Sequence, residues 1–152
     1  MVTSSTFLQS IVKLVRDQLD SNITDPISAK RNSNEKFVLT AYPMRGVKYP
    51  VITVKEEGIP EARPLGLRSE LHWIEVPVEI RVWARNNTER SSLSDSVIDF
   101  LRGAEFDTFV VTNDLHNFTI KSINDLDEIG DTGLAGIKSR IIRVSWKLVL
   151  GG

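Results

Sequence analysis

The residues able to do chemistry are few. The only imidazoles are His72 and His116, and there is no cysteine. Neither histidine stands at metal-ligand spacing, and neither has a carboxylate at a fixed helical offset. Both therefore read as ordinary polar histidines. Without cysteine there are no disulfides, thiolate metal sites or thiol nucleophiles, which fits a reducing compartment. The stretch NDLDEIGD places Asp125, Asp127 and Gly130 at the first, third and sixth positions of a calcium loop. Its fifth position is Ile129, with no side-chain oxygen, and its twelfth is Gly136 where a bidentate glutamate is required. It reads as a solvated acidic turn. No G-x-G-x-x-G, G-x-x-x-x-G-K-[ST] or G-x-S-x-G occurs, so phosphate-cradling loops and a nucleophile elbow are not indicated. The Glu56–Glu57 pair falls at the end of an expected exposed strand. The sequence expects no enzyme, no metal and no cofactor.

The basic residues remain. Lys30 and Arg31 lie in one expected loop, Arg63 and Arg68 in another, and Arg81, Arg85 and Arg90 on or after the best strand. Aromatic residues are not interleaved with them as on a single-strand stacking platform. A solvated or interface role is favoured over sequence-specific nucleic-acid reading.

These residues must be positioned by a chain of 152 residues, 41% hydrophobic and 26% charged, with a formal net charge of −1. That is enough for one domain with a real core, residues 1–152. Gln9, Lys13, Arg16 and Asp17 interrupt the opening apolar positions, so no signal peptide is expected. No apolar run approaches the ~20 residues needed to cross a bilayer. The expectation is a soluble protein made in the cytoplasm.

Helical spacing of Phe7, Leu8, Ile11, Val12, Leu14, Val15 and Leu19 predicts a helix over 5–20. Residues 21–35 are polar and contain Pro26, and read as an irregular connection. Strands are expected at 36–41 and 49–56, followed by a long loop, GIPEARPLGLRSE, at 58–70. The best strand is 71–85. Ile74, Val76, Val78, Ile80, Val82 and Ala84 face one way, and Glu75, Pro77, Glu79, Arg81, Trp83 and Arg85 the other. Pro77 cannot donate to a ladder, which argues for an edge or a bulge there. Residues 88–102 return to helical spacing, with Thr88 or Ser91 as cap and Gly103 as stop. Phe106, Phe109, Val110 and Val111 supply short apolar material. Strands at 117–123 and 137–150 close the chain.

The fold expected is therefore α+β. An antiparallel sheet carries two helices on one face, in the order α-β-β-β-α-β-β. Its other face would carry Glu75, Glu79, Arg81, Trp83, Arg85, Arg143 and Lys147. Trp83 is then an aromatic on a polar face, with two readings. It packs across its own sheet against a neighbour, or it anchors a subunit contact, where Trp and Arg are enriched.

With that order in place, the chain resembles the tail terminator, or tail-completion, proteins of long-tailed phages and related archaeal viruses. FLQSIVKLVRDQL looks like the family's opening helix and YPVITV like its second strand. VPVEIRVWARNNTERSSLSDSVIDFLR resembles its strand–turn–helix, and SRIIRVSWKLVL its closing strand. The likeness is one of element pattern along nearly the whole chain.

The resemblance implies a structural virion protein of the tail or neck, without enzymatic activity. It would form a ring, usually hexameric, that caps the tail tube and joins tail to head. The implied partners are other copies of the chain, the major tail tube protein and a head-completion or connector protein. DNA would pass through the ring without being read. Alternatives are a head–tail joining or connector protein of the neck, and a non-viral α+β binding module. The residues expected at subunit or tube contacts are Arg63, Arg68, Glu79, Arg81, Trp83 and Arg85.

Overall fold

The computed structural model describes residues 7–43, 46–57, 62–64, 71–127 and 136–151. For 7–9, 62–64, 71–73, 127 and 149–151 it describes the backbone alone. Three α-helices, α1 (Phe7–Asn22), α2 (Asn87–Leu101) and α3 (Ala104–Thr112), accompany six strands. The strands are β1 (Val38–Leu39), β2 (Val51–Glu56), β3 (Ala62–Pro64), β4 (Leu71–Ala84), β5 (Leu115–Asp127) and β6 (Lys138–Gly151). They form one sheet in the order β1-β2-β4-β6-β5, with β3 paired to β4 outside that path.

The α+β class is as expected, and three details correct the expectation. First, β1 runs parallel to β2, so the sheet is mixed rather than antiparallel. Second, the loop at 58–70 contains β3, which pairs with β4 through Ala62↔Ile74, Arg63↔Trp73 and Pro64↔His72. Third, three helices rather than two accompany the sheet, because residues 104–112 are a helix. Phe106, Phe109 and Val110 have i, i+3, i+4 spacing and are all buried. Gly103 separates α2 from α3. Its N–H closes α2 on the Phe100 carbonyl at 3.0 Å. A Cβ there would stand 3.3 Å from that oxygen, a tight contact that a side chain could take only with a small shift of the α2 end.

The core lies between the helices and one face of the sheet. Ile11, Val15 and Leu19 of α1, Leu93, Val97 and Leu101 of α2, and Phe106 and Phe109 of α3 join one cluster. The strand residues in it are those with inward parity: Ile52 and Val54, Val76 to Val82 at alternate positions, and Ile142 to Leu148 likewise. Around Trp146, fully buried, stand Phe106 and Phe118, with ring centroids 6.1 and 5.2 Å away.

Pro77 shows how a proline survives in a central strand. It stands opposite Ser145 of β6. Its carbonyl accepts the Glu57 N–H at 3.0 Å, so its nitrogen also points toward the β2 side. There the β2 ladder ends at Val78 and the β3 ladder begins at Ile74. The missing donor falls where the described ladders supply no strand partner. Among the described residues, no helix is long and apolar enough to cross a membrane.

Candidate interaction surface

The sheet face away from the helices is built by residues of outward parity. β2 contributes Val51, Thr53 and Lys55, β4 contributes Glu79, Arg81 and Trp83, and β6 contributes Ser139, Ile141, Arg143 and Ser145. Register puts Thr53 beside Arg81 and Arg81 beside Ile141. Trp83 donates its indole N–H to Thr53 Oγ1 at 3.0 Å. The Arg81 guanidinium lies 3.9 Å above the Trp83 ring and donates to Ser139 Oγ at 3.0 and 3.2 Å. Ser139 in turn donates to the Leu126 carbonyl at 2.9 Å. A cation held over an indole and hydrogen-bonded to a hydroxyl is desolvated yet satisfied.

Tyr42, in the segment after β1, closes this cluster from outside. Its ring meets Trp83 edge-on with centroids 5.6 Å apart. Its hydroxyl donates to Glu79, with oxygens at 2.9 and 3.1 Å. Lys55 Nζ sits 4.0 Å from the ring centroid on the Tyr42 π system. Partial burial raises the Tyr42 phenol above its ordinary value, and the carboxylate beside it adds to the rise. Further out, Arg143 pairs with Glu57 at 2.7 Å and Lys121 with Glu75 at 3.0 Å. The Lys121 ammonium holds the Glu75 carboxyl below the usual carboxylate range.

Of the six expected contact residues, the structure therefore gathers three. Glu79, Arg81 and Trp83 form one cluster, but they are buried, Trp83 to 2% exposure. Trp83 is not an open aromatic on a wet face: Thr53, Arg81 and Tyr42 occupy its surroundings. Arg85 does not join them. β4 ends at Ala84, so Arg85 leaves the pleat and pairs with Glu89 of α2, Nη2 to Oε2 at 2.5 Å. Arg63 takes a register position in β3 opposite Trp73, and only its backbone is described. Arg68 lies outside the described residues. Sequence reading missed Tyr42, which is 41% exposed and is the exposed aromatic of this face among the described side chains. A lone tyrosine in a proline-containing loop gives no periodic signal.

The other chemical candidates are resolved individually. His116 is exposed on β5 opposite Lys147, and only the backbone of His72 is described. Among the described residues, no group of three or more His, Asp or Glu could hold a metal. The first half of the calcium-like stretch is β-strand, and Asp125 is bound to Arg140 at 2.6 Å; residues 128–131 lie outside the described residues. Arg31 is a staple rather than a solvated loop residue. It binds Asp25 at 2.6 Å, the Lys48 carbonyl at 2.8 Å and the Pro50 carbonyl, and so fastens the long connection onto the entry to β2. A groove of ≈ 970 Å³ runs between α3 and β5, lined by Phe106, Val110, Phe118, Arg102 and His116 among others.

The surface most developed for contact is thus a sheet face of mixed, internally paired charge with one exposed aromatic among the described side chains. No protein-family model matches the chain, and no curated protein matches its sequence.

Proposed function

We propose that this protein is a structural subunit of a viral tail, one that assembles into a ring at the head-proximal end of the tail tube and joins tail to head. The observation that carries the reading is the outer sheet face. All three helices contribute to the core on the opposite face, and the outer face carries acids paired with bases, with Tyr42 held on Glu79. Such a face suits contact with another folded surface, where mixed charges fix register and disfavour wrong partners. The stretches that carry the family resemblance support the same reading. They fall on α1, on β2, on β4 with its turn into α2, and on β6, the framework of the domain.

In a ring, contacts are heterologous, so two different patches of one subunit meet. The outer face around Tyr42, Glu57 and Arg143 is one such patch in this reading, with Trp83 and Arg81 as its rigid backing. The test is light scattering coupled to size exclusion, followed by negative-stain imaging and co-sedimentation with purified tail tubes. Rings, or subunits that join the end of a tube, are expected. A strict monomer that forms no rings at high concentration and ignores tail tubes ends the proposal.

A further inference from the structure

β5 is the outermost strand on its side of the sheet, with β6 along one edge and no described strand along the other. It spans thirteen residues without a proline. Long open edges invite pairing with another strand, and proteins usually guard them with bulges, prolines or outward charges. β5 guards only its first half. Register shifts interrupt it between His116 and Thr119 and between Ile120 and Ser122. From Ser122↔Arg143 to Asp127↔Lys138 the ladder then runs without a break.

The two charged side chains described there do not guard the edge, because both turn inward. Lys121 reaches over β6 to Glu75 of β4 at 3.0 Å. Asp125 binds Arg140 of β6 at 2.6 Å and Arg90 of α2 at 3.5 Å. Exposed apolar side chains then stand on both faces, Ile123 at 42% and Leu126 at 44%, with the exposed, uncharged Asn124 between them. Register places Ile123 on the helix side, opposite Ile142, and Leu126 on the outer side, opposite Ser139.

We infer that the edge of β5 centred on Ile123, residues 120–126, pairs antiparallel with the same edge of a second copy of this chain. A two-fold axis at Ile123 sets Ile123 against its own copy and Ser122 against Asn124, pairs of matching polarity. It also brings the Lys121 end of one strand beside the Asp125 end of the other, whereas a parallel pairing would align like charges. Asp125, the one charge within 122–126, is neutralised inside its own chain by Arg140 and Arg90, and both exposed apolar residues are covered at once. A two-fold contact closes at two and cannot by itself make a ring. It is therefore a separate surface from the outer face, and it stands or falls independently of the ring.

The chain lacks cysteine, so a single introduced thiol reads the register directly. Facing Cβ atoms in an antiparallel pair are about 5 Å apart, close enough for a disulfide after a small adjustment. Ile123→Cys is expected to oxidise to a disulfide-linked dimer faster than Val111→Cys, at a more exposed control position (67%). At concentrations below those at which rings form, light scattering is expected to give twice the chain mass for the unmodified protein and the single mass for Ile123→Lys, with thermal unfolding little changed. A unmodified chain that stays monomeric at every concentration overturns the inference. So does a dimer that survives Ile123→Lys, or cross-linking no faster at 123 than at 111. Rings without preferential cross-linking at 123 sink the edge pairing and keep the ring; a cross-linked dimer without rings does the reverse.

Discussion

At the scale of single residues, burial decides what Trp83 can be. Its side chain is enclosed by Thr53, Arg81 and Tyr42, so truncation acts on folding before it acts on any contact. Trp83→Ala is expected to cost about 3–5 kcal/mol in urea unfolding, the range for emptying a buried aromatic site. A loss below about 1 kcal/mol would mean the cluster is not packed as described. Asp125 supplies a pH signature. Arg140, hydrogen-bonded to it, lowers its pKa from an ordinary value of 3.8, with desolvation opposing. A depressed folded-state pKa gives stability that is present above the unfolded value and lost as pH falls through the folded one. The pair therefore contributes at pH 5 and fades below about pH 4. Asp125→Asn is expected to flatten the acid side of the stability profile below pH 4 and to leave its shape near neutrality unchanged. An acid limb as steep as before would show that Asp125 does not carry it.

At the scale of elements, the strongly patterned parts were legible and the short ones were not. β4 alternates over its whole length, so its inward residues could be named from sequence alone, and they are in the core. α3 has the right spacing, but nine residues rich in Phe, Val and Thr are also strand-like, and only packing on β5 decides. β1 has two residues and runs parallel, which is a tertiary outcome with no local signal. α2 starts at Asn87, one residue before the expected 88. Asn86, not Thr88 or Ser91, caps it, accepting the Glu89 N–H at 2.8 Å. Glu89 answers by accepting the Arg85 N–H at 3.1 Å, a reciprocal arrangement that also holds the exit from β4. Asn86→Ala is expected to cost about 1 kcal/mol by chemical denaturation, and Asn86→Ser much less, since serine can cap too. Equal losses for both would assign the effect to something other than the cap.

At the scale of the whole molecule, parity assigns the face of each β4 residue, and Glu79, Arg81 and Trp83 of the expected outer set lie on the outer face, whereas Arg85, beyond the end of β4, does not. What parity cannot show is that the outer face would fold a loop residue onto itself. Tyr42 comes from outside the sheet, and its covering role depends on where the chain goes after β1. In the ring reading this residue is the aromatic a neighbour meets. Tyr42→Ser is expected to leave a folded protein, because the site is at the surface, and to weaken ring assembly, read as a higher concentration needed for rings in light scattering. A variant that assembles at the unmodified concentration would move the contact elsewhere on the molecule.

The three tryptophans divide by position in a way that has an optical consequence. Trp146 lies on the helix side of the sheet and Trp83 on the other, while Trp73 takes a place in β4. With Trp73 and Trp146 replaced by phenylalanine the emission reports on Trp83 alone, and with Trp73 and Trp83 replaced it reports on Trp146 alone, so a pair of variants reads the two sides of one sheet. An event confined to the outer side, such as docking of a neighbour on Tyr42, would recolour Trp83 and leave Trp146 dark to it. Melting of the domain would shift both together.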